Sequence, residues 1–346
     1  MGKKNLKAMD LNELTDYIKN IGEKEFRAKQ IFRWIYKGVS NFEMMSDLPK
    51  NLISKLKEDA YIGEIKIIKR VDSKKDNTSK FLFLLEDGNI IESVKMEYSY
   101  GTSVCVSSQV GCAMGCAFCA STIGGLVRSL KAWEMVDQVL QIEKQINKKV
   151  GHVVVMGSGE PLLNYRELIR FLRILNDPLA FNISYRKITV STCGVVPKIY
   201  KLAEENIPIT LSISLHAPFD DLRDELVPIN KKYNITQLLE ACKFYIMKTK
   251  RRISFEYILI SGVNDSERCA KKLVSLLKGM LCHVNLIPLN PVKEKLYERS
   301  DSREIKRFEN ILRENNIPVT VRAEMGADID AACGQLRRSF LKEVEG

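Results

Sequence analysis

Three regimes of hydrophobic spacing succeed one another along the chain. From Leu11 to about Asp59 apolar residues return every three or four positions: Leu11, Leu14, Tyr17 and Ile18, then Phe26, Ile31, Trp34 and Ile35, then Leu48, Leu52 and Leu56. That period puts them on one face of a helix, so a small helical module is expected, with its aromatic residues in the core. The next stretch alternates instead, through IKIIKRVDS, SKFLFLLEDG and NIIESVKMEY, and Asp87-Gly88 marks a hairpin turn. About three antiparallel strands are expected there. Beyond Gly101 come the apolar runs SVCVSSQ, HVVVMG, KITVST, ITLSISL, ISFEYILI, HVNLIPL and a late VTVRA, separated by amphipathic stretches long enough to be helices. Such alternation implies an α/β chain of parallel strands with crossover helices, a full or partial βα barrel. In such barrels reactive groups gather where strands run into their following loops. The expected division is a helical module over 1–60, an antiparallel unit over 61–98 and a barrel core over 99–346. The run KEKLYERSDSR reads as an exposed loop.

A chain of 346 residues suits one barrel plus a smaller module. With 45% hydrophobic and 28% charged residues it has ample core material, and disorder is not indicated. No window approaches the ~20 apolar residues of a membrane span, and the initial lysines have no apolar block behind them. The expectation is a cytoplasmic protein without a membrane partner. In that compartment thiols stay reduced, so nine cysteines point to metal ligation, redox catalysis or burial before they point to structural disulfides. A formal charge of +11 would attract a polyanion such as RNA or DNA, although charge alone does not separate this from a solvated lysine surface.

The segment SSQVGCAMGCAFCASTIGG changes the picture. Cys112, Cys116 and Cys119 follow a strand at spacing C-x3-C-x2-C, with Gly111 and Gly115 allowing tight turns. Three thiolates so close can wrap one compact metal centre, and a [4Fe–4S] cube held by three would keep one iron open. Structural zinc usually takes two C-x2-C knuckles, and no second knuckle follows; a two-cluster ferredoxin would need further cysteine runs. The spacing ahead of a βα barrel resembles the radical S-adenosylmethionine (SAM) superfamily. That resemblance implies a partial (βα)6-type barrel with a small N-terminal α+β accessory domain, and SAM chelated to the open iron. By the same resemblance Gly159 and Glu160 would hold the methionine amino group, and Ser191, Ser214, Leu215, His216 and Asn290 match positions that contact SAM.

Two more cysteines stand in unusual surroundings, Cys105 in SVCVSSQVGC and Cys333 in GADIDAACGQL. With NLIPLNP and VPINKKYNI, these stretches resemble bacterial 23S ribosomal RNA adenine-C2 methyltransferases over essentially the whole chain. The resemblance implies a chemistry for a carbon that cannot itself attack the SAM methyl. Cys333 takes a methyl from one SAM. A second SAM gives a 5′-deoxyadenosyl radical that removes hydrogen from the methylthio group, and the resulting carbon radical adds to the ring. Glu92 matches the proton acceptor, a role a carboxylate in a dry pocket could fill, and Cys105 the resolving thiol that leaves a Cys105–Cys333 disulfide. Before the resemblance, Glu92 reads equally as a solvent-facing strand residue.

The implied partners are 23S rRNA, adenine 37 of some transfer RNAs and a flavodoxin-type electron donor, with the chain a monomer. A target adenine would be turned out of its stack, and Lys3, Lys4, Lys7, Arg27, Lys29 and Arg33 are expected to hold phosphates. Cys193, Cys242, Cys269 and Cys282 are expected to be buried inert thiols, and His152 and His283 strand-edge or core residues. Two other readings stand beside this one: the related adenine-C8 methyltransferase of the antibiotic-resistance type, and a non-catalytic iron–sulfur or zinc RNA-binding protein.

Overall fold

The computed structural model describes residues 2–336. Three helices form the N-terminal module, α1 (Leu11–Asn20), α2 (Phe26–Tyr36) and α3 (Lys50–Asp59). Asp10 and Glu13 start α1 with reciprocal side chain to backbone bonds that satisfy donors the first turn leaves free. Two short strands, β1 (Lys4–Asn5) and β2 (Ala60–Tyr61), pair in parallel and clasp the module's ends. Leu14, Ile18, Ile31, Ile35, Leu52 and Leu56 are buried as their spacing implies. The aromatic residues divide. Phe26 does not join the core: it is 48% exposed on the first turn of α2, with the Arg27 guanidinium 4.7 Å from its ring centroid.

Lys7 also departs from expectation. It is buried, and its Nζ pairs with Asp137 Oδ1 at 2.7 Å, so it cannot reach a phosphate. The other Asp137 oxygen accepts from Ile65 N at 2.7 Å. One carboxylate therefore anchors the start of the chain and the exit from the helical module to helix α4 (Ala132–Ile146).

Ten of the remaining strands build one sheet. An antiparallel meander of β3 (Lys66–Asp72), β4 (Ser79–Leu84) and β5 (Ile90–Tyr98) ends where β5 pairs with β6 (Gly101–Cys105). Within this sheet every pairing beyond β6 is parallel, through β9 (His152–Val155), β10 (Ile188–Thr192), β11 (Thr210–Ser214), β12 (Ile253–Leu259), β13 (Cys282–Pro288) and β14 (Val319–Val321). The crossovers carry α4, α5 (Tyr165–Asn176), α6 (Val196–Ala203), α7 (Asp220–Leu226), α8 (Ile235–Thr249), α9 (Glu267–Leu277) and α10 (Ser302–Glu314). With β14 at one edge and β3 at the other, the sheet stays open: a partial barrel, as the alternation implied. The meander is hydrogen-bonded into that sheet, so β5 stands directly beside the first parallel strand.

One further hairpin matters for the site. β7 (Gln109–Gly111) pairs antiparallel with β8 (Leu126–Ser129), and all three cysteines of the loop lie between them. Gly111 has φ +74°, and a Cβ there would lie 2.0 Å from the Gly125 carbonyl oxygen, so only glycine closes this hairpin.

Candidate active site

The parallel strands end around an open cavity. Cys112, Cys116 and Cys119 line it from the β7–β8 loop, Gly159 and Glu160 from the loop after β9, Ser191 from β10, Ser214 and His216 from β11 and beyond, and Cys333 from the C-terminal segment. Leu215 instead packs in the hydrophobic core; its carbonyl accepts from Arg223 Nε at 3.0 Å. Asn290 lies on an adjoining cavity, with its Nδ2 donating to the Cys333 carbonyl at 3.4 Å.

Each polar group has a specific setting. Glu160 is buried; Oε1 accepts from Leu162 N at 2.9 Å and Oε2 from Cys193 N at 2.7 Å. Burial nonetheless pushes its carboxyl above the ordinary range, as it does for an acid that loses water. Ser191 Oγ and Ser214 Oγ face each other across β10 and β11 at 3.4 Å. His216 adopts φ +59°, accepts from Ile258 N on Nδ1 at 3.1 Å and meets Phe118 edge-on. Burial, assisted by Arg223, pushes its imidazole down to about 3, so the ring is neutral.

Cys105, at the end of β6, opens with Cys333 onto a second cavity of about 460 Å3 that shares Cys119, Ser121, Met156, Gly157 and Arg322 with the first. Burial pushes the Cys105 thiol up to about 12, with Cys333 contributing. Glu92 on β5 is buried, which removes the solvent-facing alternative, and its Oε1 pairs with Lys80 Nζ at 3.6 Å. It lines a smaller cavity together with Gln109, Ser121, Ser158 and Leu336. Ser107 locks this neighbourhood: its Oγ donates to the Glu92 carbonyl at 2.6 Å and accepts from Ser158 N at 3.0 Å.

Three residues that patterning overlooked belong to the site, and a fourth, Cys193, was expected only as a buried inert thiol. Cys193 is partly exposed and lines the main cavity with its Sγ 3.8 Å from Cys116 Sγ. Arg223 is fully buried and donates to the carbonyls of Cys193, Ser214 and Leu215 and to Asn230 Oδ1, tying two strand ends to the VPINKKY segment. Glu256 on β12 accepts from Ser212 Oγ at 2.6 Å and Asn285 Nδ2 at 2.8 Å, and lies 3.6 Å from Arg322. Arg322, just past β14, reaches both cavities, and its charged form is favoured chiefly by Cys333 and then by Glu256. The one available signal was a Glu inside the apolar run ISFEYILI, since a buried carboxylate requires partners.

The cavity offers the donor types a cluster takes, three cysteine thiols from one loop. Among the described residues no three His, Cys, Asp or Glu side chains converge on one ion-sized point. A [4Fe–4S] cube makes no such demand: it takes each thiolate at a separate iron, so its ligands surround a volume. Burial pushes Cys112 up to about 12 and raises Cys119, a setting that ligation by iron reverses because a coordinated thiol is deprotonated. Asn290 Oδ1 is buried with no hydrogen-bond partner among the described residues.

Fold and cavity together define the class. Residues 106–271 match the radical SAM superfamily, which implies a [4Fe–4S] cluster and SAM. Residues 4–62 match the ribosomal RNA large subunit methyltransferase N-terminal domain. The chain is 55% identical over 340 residues to a protein of Thermoanaerobacter sp., covering 98% of this chain and 99% of that one. It is 54% identical over 335 residues to one of Clostridioides difficile, covering 97% and 98%. Both carry the description probable dual-specificity RNA methyltransferase RlmN. The crystal structure of a radical SAM methyltransferase from Sphaerobacter thermophilus superposes with a TM-score of 0.93 at 45% identity, over 97% of this chain and 100% of that one. The chain belongs to the RlmN family of radical SAM RNA methyltransferases.

Proposed function

We propose that this enzyme methylates carbon 2 of an adenine in 23S rRNA, and of adenine 37 in certain transfer RNAs, through a methyl group carried on Cys333. The observation that carries the reading is the placement of Cys333: it lines the cavity of the cysteine loop and also the cavity that holds Cys105. Cys112, Cys116 and Cys119 would hold the cluster, with Gly159, Glu160, Ser191, Ser214 and His216 around SAM and Leu215 contributing backbone. The Glu160 oxygens and Asn290 Oδ1 offer acceptors to the methionine ammonium.

Cys333 attacks as a thiolate: its sulfur forms a bond to the SAM methyl carbon while the sulfonium–methyl bond breaks. Arg322 lines both cavities together with Cys333 and sets a fixed positive charge in that space. A cluster held by Cys112, Cys116 and Cys119, with a second SAM, would supply the radical chemistry that makes the methylthio carbon on Cys333 reactive towards the adenine ring. Glu92 accepts the C2 proton, by way of the Ser121 side of the cavities, since Ser121 lines all three. Once the adduct has also lost its unpaired electron, which an oxidised cluster would accept, Cys105 gives up its proton and attacks the Cys333 sulfur. The sulfur–carbon bond breaks with its electron pair on the base-side CH2, which takes up a proton to become the methyl, and a disulfide remains for external two-electron reduction. Two SAM are used per turnover. The protein acts in the cytoplasm, as a monomer, and a flavodoxin-type donor supplies electrons.

The test is anaerobic reconstitution followed by reaction with 23S rRNA fragments and transfer RNA, then mass mapping of nuclease digests. The expected product is 2-methyladenosine; 8-methyladenosine in its place would establish the C8 reaction, and zinc without labile sulfide in the reconstituted protein would favour a non-catalytic binding module.

A further inference from the structure

The turn that joins β5 to β6 lifts two tyrosines to the rim of the methyl-carrier cavity. Tyr98, the last residue of β5, lies opposite Gly101 in the ladder, and Tyr100 occupies the turn between them. Their rings stack with centroids 4.9 Å apart and an interplanar angle of 9°. His152, at the start of the neighbouring parallel strand, meets Tyr100 edge-on at 4.8 Å and props it from the side. The inner ring, Tyr98, lines the cavity that contains Asn290, Arg322 and Cys333. The outer ring, Tyr100, is 62% exposed.

A half-buried aromatic ring whose stacked partner points into solvent is a step between bulk water and the reactive sulfur. Hydrophobic packing does not require it, because Tyr100 buries too little surface to stabilise the core. Cations stand on either side of the step: Arg322 lines the cavity at its base with Tyr98, and Lys187 acts on His152. Aromatic faces set among basic groups are how proteins hold unpaired nucleotides, since every base offers a π-face and every linkage a negative charge.

We infer that Tyr100, backed by Tyr98 and His152, is a stacking platform for an unpaired RNA base adjacent to the target adenine. A neighbour stacked there keeps the strand open at the cavity mouth while the target enters towards Cys333. This inference rests on the proposed RNA methylation at Cys333 and adds a recognition element outside the reacting groups.

The experiment compares wild type, Tyr100→Phe, Tyr100→Leu and Tyr100→Trp in the reconstituted full chain. Binding is measured by anisotropy with an RNA hairpin whose loop carries the target adenine and with a fully paired RNA of equal length. Tyr100→Leu should weaken binding to the loop RNA by about 5- to 150-fold, the range of one aromatic–base stack, and leave the duplex within about twofold. Tyr100→Phe should restore loop binding, and the Tyr100→Trp fluorescence should be quenched on adding loop RNA. Loop-RNA binding by Tyr100→Leu within about twofold of wild type would overturn the platform, as would loss of binding without quenching in Tyr100→Trp. The methylation reading is scored separately: wild-type protein that binds loop RNA in this Tyr100-dependent way but yields no 2-methyladenosine refutes the reaction and leaves the platform standing.

Discussion

Replacing Lys7 by Met isolates what the buried ion pair does for the molecule. Lys7 Nζ and Asp137 Oδ1 are 2.7 Å apart, and the two side chains are 1% and 0% exposed. Methionine fills the space of the lysine stem, so no large cavity opens, but Asp137 is left as a buried carboxylate without its cation. Removing one partner of such a pair costs about 3–5 kcal/mol. Asp137 keeps two donors, Ile65 N at 2.7 Å and Gln141 Nε2 at 3.2 Å, which places the loss near the lower end, about 3 kcal/mol, or more than a hundredfold in the folding equilibrium. Combining Lys7→Met with Asp137→Asn removes the stranded charge while an amide oxygen still accepts from Ile65, so most of the loss should return. Urea titrations followed by far-ultraviolet circular dichroism give the stabilities, and RNA binding over a salt series gives the number of phosphate contacts. The reasoning fails if Lys7→Met changes stability by less than about 0.5 kcal/mol while lowering the salt slope by about one, the signature of a lost phosphate contact.

Other perturbations address the site directly. Gly111→Ala forces a side chain into the Gly125 carbonyl and removes the bond from Cys112 N to that oxygen, so iron incorporation on reconstitution should fall well below wild type; full incorporation would show that the hairpin tolerates opening. His216 stays neutral when folded but takes a proton below its ordinary 6.5 when unfolded, so its contribution to stability, present above pH 6.5, is lost as pH falls towards 3. Over that span wild type should lose up to about 4 kcal/mol more than His216→Asn, a residue that tolerates the positive φ; parallel pH–stability curves from denaturant melts would contradict this. Cys105, pushed up to about 12 by burial, should resist iodoacetamide at pH 8 and react only as the pH climbs towards that value, which peptide mass mapping reads. Arg322→Gln removes the cation that lines both cavities with Cys333 and lies 3.6 Å from Glu256, so methylation of Cys333 by SAM should slow; an unchanged rate removes Arg322 from the methyl-transfer step.

Much of the fold was legible in spacing. A period near 3.6 and a period of 2 leave different traces, and each apolar run read as a strand contains one, from IKIIKRVDS at β3 to VTVRA at β14. Phe26 shows the limit: periodicity names the face of a helix but not whether its first turn is covered, and here it is not. Lys7 shows another. Charge in a sequence reads as surface, and only a carboxylate 130 residues away makes its burial possible.

The sequence by itself determined the chemistry available to this chain, because three thiols at C-x3-C-x2-C and two more at Cys105 and Cys333 are facts of order and type. It also determined that a βα barrel would carry them, since hydrophobic period is local. The tertiary structure decided which groups share a space. Cys105 and Cys333 open on one cavity that Arg322 also lines, Glu92 turns inward, and Cys193 comes to 3.8 Å from Cys116, none of which spacing can tell. These pairings join strands far apart in the chain, and parallel pairing sets them through register and crossover rather than through any neighbouring residue.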